Sequence, residues 1–130
     1  MNVEVAEDRR SFASYGEILD VIDVGRVRIT RRYGCIRRDQ FELVTKEPFP
    51  SAFRDWLASR GELRERPALY VIEVPGAYQL TVAPRAGRAI LMPRLATDLT
   101  WQARAAREIA ETLDRMLNQG SCLAIPPQAG

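Results

Sequence analysis

The chain has no histidine. That removes Ser–His and Cys–His nucleophile pairs, every histidine metal site and the commonest general base. Cysteine is almost as scarce. Cys35 and Cys122 stand far apart, with no metal-ligand spacing around either, so neither a disulfide framework nor a zinc cluster is encoded. The 8 glycines are scattered, and none opens a helix after a strand in the spacing of a phosphate-binding loop. Lysine is nearly missing too: Lys46 is the single lysine among 19 basic residues. A GC-rich genome accounts for such a bias. So does a use for the planar arginine fork on carboxylates or phosphates. No apolar run is long enough to span a bilayer, and positions 1–10 carry Glu4, Glu7 and Asp8 where a signal peptide needs an apolar core. The expectation is a cytoplasmic protein with reduced thiols, no cofactor, no bound metal and no membrane contact.

What is present fits one domain. A chain of 130 residues that is 46% hydrophobic and 28% charged, with a net charge of +2, can build a single core without crosslinks. The longest periodic signal runs over 99–117. Leu99, Ala103, Ala106, Ala110, Leu113 and Leu117 recur at steps of three and four, with Ile109 and Met116 widening the stripe. This is one buried face of a helix. Arg104, Arg107, Glu108, Glu111 and Arg115 fill the other side, where ion pairs add only about 0.2–0.5 kcal/mol each. Thr97 or Asp98 can cap its start, and Gly120 can end it.

Before that helix the pattern is mostly period two. β-Branched residues from Ile18 to Ile29, with a turn at Asp23-Val24-Gly25-Arg26, predict a hairpin in which Asp23 faces Arg26. A rival pattern makes 11–22 a helix, since Phe12, Tyr15, Leu19 and Ile22 also share a helical face. A turn at Tyr33-Gly34 leads to a third strand over 36–44, with Phe41 and Leu43 on one side. Pro48-Phe49-Pro50 stops the sheet, and Phe53, Trp56 and Leu57 mark a short helix ended by Gly61. Positions 62–67 read as a charged connector. Strands follow over 68–74, 77–83 and 88–92, separated by Pro75-Gly76 and Pro84-Arg85-Ala86-Gly87. The expected fold is α+β: one antiparallel sheet of five to six strands with two helices on one face, in the order βββα-βββα, the first strand being helical in the rival reading. The expected domains are an arm or short helix over 1–16, a single domain over 17–120 and a flexible tail over 121–130.

Candidate chemistry is thin. Glu73 interrupts an apolar run and shares a strand face with Leu69 and Val71, or else it simply meets water next to the Pro75-Gly76 turn. Cys35 lies among Arg31, Arg32, Arg37 and Arg38, which would activate a thiol, but an isolated cysteine serves as readily as a small buried hydrophobe. The sharpest candidate binding site is the arginine-rich hairpin: Arg26, Arg28, Arg32, Arg37 and Arg38. Glu17 and Asp23 on the same hairpin would neutralise part of it, and Tyr33 is the only aromatic nearby. A second candidate is an apolar sheet face turned away from the helices, made by Leu19, Val21, Tyr70, Ile72 and Val74, with Trp101 as a further interface residue. Together these features predict a small non-enzymatic binding or regulatory protein acting through protein–protein contact as a homodimer, with an acidic protein surface as a further partner. The alternative is a nucleic-acid-binding protein using the arginine hairpin. The order of strands and helices is shared by several unrelated small folds and carries no function by itself.

Overall fold

The computed structural model describes residues 12–94 and 97–124, with side chains through residue 119. The expected arm over 1–16 and tail over 121–130 lie in large part outside the described residues. Among the described residues the fold is α+β, with seven strands in one antiparallel sheet and two α-helices. The strands are β1 (Ile18–Val24), β2 (Val27–Cys35), β3 (Arg38–Val44), β4 (Glu62–Glu65), β5 (Tyr70–Val74), β6 (Tyr78–Ala83) and β7 (Arg88–Pro93). Helix α1 (Ser51–Ala58) follows β3, a 3-10 turn (Pro84–Ala86) separates β6 from β7, and α2 (Leu99–Ala124) closes the chain.

The sheet order is β1-β2-β3-β7-β6-β5-β4. Two meanders of consecutive strands therefore meet at β3 and β7, where Phe41 stands opposite Leu91 and Leu43 opposite Ala89. Alternation then sends one residue of every two to the helix side. Val27, Ile29, Phe41, Leu43, Ala89, Leu91, Leu80, Val82, Tyr70 and Ile72 are buried there against Phe53 and Leu57 of α1 and Ala106, Ile109, Ala110 and Leu113 of α2. Each of the large apolar side chains stabilises the fold by roughly 1.5–3 kcal/mol relative to exposure. The alanines on α2 keep it close to the sheet. Phe49 and Phe53 meet edge to face, their centroids 5.5 Å apart, and Trp56 stacks on Phe53 at 6.0 Å.

Several sequence expectations need correction. The second half holds four strands, because 62–65 is not a connector but β4, in which Leu63 stands opposite Ile72. Its other residues are charged, which suits a short edge strand. Positions 11–22 do not form a helix over their described part; Ile18–Val24 is a strand. The first hairpin is two residues out from the expected register: Asp23 pairs with Arg28 and Val24 with Val27. The turn is the two-residue Gly25-Arg26, with φ of 58° at Gly25 and no positive φ at Arg26, the pattern of a type II′ turn whose twist matches the strands. A shift of two preserves which side each residue faces, so Ile22, Val27 and Ile29 still point to the core. β2 runs through Tyr33-Gly34 to Cys35, with an irregularity there, and turns at 36–37. Helix α2 begins as expected, with the Trp101 N–H donating to Asp98 Oδ1 at 2.7 Å. It does not end at Gly120 but continues to Ala124.

The supposed second apolar face is the largest correction. Tyr70 and Ile72 are core residues, Val74 and Trp101 are half-buried against the same core, and Leu19 is buried. Of those six only Val21 is exposed. In β5 the helix side is taken by Tyr70, Ile72 and Val74, and the open side by Val71 and Glu73. The open face itself is laced with ion pairs. Glu42 contacts Arg88 at 2.5 Å and Arg32 at 3.8 Å, Asp23 contacts Arg28 at 2.9 Å, and Glu73 contacts Arg94.

Candidate functional site

The five hairpin arginines do not form one patch. β2 is nine residues long, so Arg26 before it and Arg37 beyond it lie roughly 30 Å apart. Arg28 and Arg32 share the open face. Arg28 donates to Asp23, and its guanidinium holds the Asp23 carboxyl below its ordinary range. Arg32 donates to the Gly16 carbonyl at 3.0 Å beside Glu42. Arg26 sits in the turn, where its guanidinium donates to Glu47 at 3.0 Å. Arg37 is exposed in the β2–β3 turn, and Arg38 opens β3 half-buried. Glu73 is paired with Arg94 on the open face near the strand end, as the solvated reading expected. Cys35 is half-buried at the end of β2. Among the described residues no group of three or more histidine, cysteine, aspartate or glutamate side chains is placed to hold a metal ion. None of the described helices is long and apolar enough to cross a membrane.

Sequence reasoning missed a buried polar cluster beneath α2. Arg31 donates to the fully buried Asp39 at 2.5 Å and lies over the Phe41 ring, 5.7 Å from its centroid. The Asp39 N–H donates to Gln102 Oε1 at 3.1 Å. Gln102 Nε2 in turn donates to the carbonyls of Arg37 at 2.9 Å and Thr97 at 3.2 Å. The cluster ties the β2–β3 turn to the first turn of α2. The signal for it was strand parity: Arg31 alternates with Val27 and Ile29, and Asp39 with Phe41 and Leu43. Burying such a pair is costly unless each charge finds its counterpart, so the cluster fixes the approach of α2 to the sheet.

The exposed apolar residues gather elsewhere. Phe12 is 90% exposed, Tyr15 76%, Val21 45% and Ile18 42%. Phe12 and Tyr15 lead into β1, and Ile18 and Val21 lie on it. The Gly16 N–H donates to the Tyr33 carbonyl, which holds the lead-in beside the far end of β2, where the turn carries the exposed Ile36. All of these except Val21 sit at one corner of the sheet. The two sheet edges differ sharply. β4 is four residues long and presents Glu62, Arg64 and Glu65, whereas β1 has seven residues and no lysine, arginine or proline.

No family model, no curated protein and no solved structure matches this chain.

Proposed function

We propose that this is a non-enzymatic binding protein working through protein–protein contact, and that strand β1 is its contact element, paired with β1 of a second copy. The observation that carries this reading is the unequal guarding of the two sheet edges, with the exposed apolar residues gathered on the unguarded one. Edge strands without charge or proline are templates for further strand pairing. A twofold axis at Val21 sets Asp20 opposite Ile22 of the second copy, so aspartates never face each other across the joint. Such isologous pairing is the commonest route to a closed oligomer. Membership of the cytoplasm belongs to the same proposal. Nucleic-acid binding through the hairpin draws no support from the geometry, since Arg26, Arg28 and Arg32 each lie against a carboxylate.

Size-exclusion chromatography with light scattering tests the proposal. The wild-type chain runs at twice its monomer mass at micromolar concentration, Val21→Lys runs as a monomer, and Val71→Lys on the open face leaves the dimer intact. A wild-type monomer, or a dimer broken by Val71→Lys and not by Val21→Lys, overturns it.

A further inference from the structure

At the opposite edge of the molecule a cleft of about 630 Å³ opens between the start of α1, the β4–β5 loop and the 3-10 turn. Its size is that of a small-molecule site. The Phe49 N–H donates to the Pro84 carbonyl at 2.9 Å, which brings the 3-10 turn against the start of α1. The Arg66 N–H donates to the Leu69 carbonyl at 2.8 Å and closes the loop on the other side. Phe49, Pro50, Pro67, Leu69 and Pro84 make most of the lining apolar.

Three features of the cleft favour a negative group. First, α1 starts without a side-chain cap, because Pro50 occupies the capping position, and its first turn holds no acidic residue. Its leading N–H groups and the positive end of the helix dipole are thus available. Second, three arginines line the cleft against one carboxylate. Arg54 is committed to Glu65 through two hydrogen bonds of 3.0 and 2.7 Å, whereas Arg66 and Arg85 pair with no carboxylate. Third, Tyr70 forms part of the wall with only 5% of its surface exposed, and its hydroxyl has no hydrogen-bond partner among the described residues. That hydroxyl lies within electrostatic reach of Arg54 and Asp55 on α1. A buried hydroxyl left without a partner is costly, and an acceptor oxygen in the cleft would relieve it.

We propose that this cleft binds an organic carboxylate with an apolar body. The carboxylate is held by the first N–H groups of α1, by Arg85 and by the Tyr70 hydroxyl; the body packs on Phe49, Pro67 and Leu69. The apolar lining calls for a ligand whose body outweighs its charged head, which a carboxylic acid or the C-terminus of an apolar peptide supplies and a free inorganic anion does not.

Amide chemical shifts of the full chain, titrated with octanoate, test this. Octanoate shifts the Ser51 and Ala52 amides saturably, and octanamide, its neutral counterpart, does not. Arg85→Gln and Tyr70→Phe each weaken octanoate by about tenfold, as the loss of a hydrogen bond to a charged group does. Tyr70→Phe keeps its fold, since the hydroxyl it removes bonds to nothing in the protein. Acetyl-leucyl-leucine binding more tightly than octanoate assigns the head to a peptide C-terminus; weaker binding assigns it to a small acid. Equal binding of octanoate and octanamide overturns the proposal, and so do unchanged affinities in both variants or no saturation by about 10 mM. Inorganic phosphate displacing octanoate at lower concentration overturns the choice of carboxylate.

Discussion

The Asp114 carboxylate on α2 accepts a hydrogen bond from the Arg26 backbone N–H at 2.9 Å, across 88 residues of sequence. It clamps the tip of the first hairpin to the last helix. Gly25 beside it has a φ of 58°, and a Cβ there would meet the same carboxylate at 2.3 Å. A side chain at Gly25 is therefore excluded twice, by backbone conformation and by space. Asp114→Ala costs about 1–2 kcal/mol for the lost bond to a charged acceptor. Gly25→Ala costs at least as much. The double variant loses less than the two single losses together, because removing the carboxylate makes room for the new methyl group. Urea unfolding of the four proteins checks this.

The Arg31–Asp39 pair gives a larger effect. Asp39→Ala strands a buried guanidinium and unties the Gln102 bond that aligns α2, with an expected loss of about 3–5 kcal/mol. Asp23→Ala, which breaks the exposed pair with Arg28, leaves the unfolding midpoint where it was. Side-by-side denaturation curves of the two variants read the contrast directly.

Arg28→Ala has a different signature. With the guanidinium gone, the Asp23 carboxyl titrates closer to its ordinary value, because the hydrogen bond from Arg28 is the main cause of its lowering. A carboxyl-detected NMR titration measures the upward shift, and the open face otherwise keeps its structure.

Stability at high pH depends on Tyr70. Burial pushes its hydroxyl up to about 12 from an ordinary value near 10. The folded protein therefore holds this proton more tightly than the unfolded chain. The associated stability is complete below about pH 10 and is lost as the pH rises through about 12. The arginines stay charged across that window. Thermal melts of the wild type fall steeply there, while those of Tyr70→Phe fall less. Equal slopes for the two proteins would contradict the assignment.

Much of the scaffold was legible because its periods are clean. The Leu99–Leu117 stripe, the Asp98 cap and the Phe41–Leu43 alternation each have one good structural solution. β5 had two. Its residues are apolar on both sides, so alternation alone cannot choose, and the weight given to Leu69 and Val71 pointed the wrong way. Glu73 was the deciding residue: an acidic side chain marks the open side, which puts Tyr70, Ile72 and Val74 in the core. β4 escaped notice because an edge strand with a single apolar residue looks like a linker. The arginine hairpin was legible as charge but not as geometry, since the carboxylate of Glu47 reaches Arg26 from a distant part of the chain. The cleft at α1 left no trace in the pattern at all. It is made by three segments that meet only after folding, and its most telling group, the Tyr70 hydroxyl, looks in sequence like any strand tyrosine.

The junction of the two meanders also sets how the chain reaches this fold. Every strand pairs with its neighbour in sequence except at the β3–β7 seam. Six hairpin-like contacts would form cheaply from local chain, but this one must close a loop that contains α1 and three further strands, and that closure concentrates the entropic barrier in one step. Trimming Leu43 or Leu91 at the seam should thus slow folding. Trimming Ile22 in the first hairpin should chiefly hasten unfolding. The seam that holds the sheet together is the last part of it to be made.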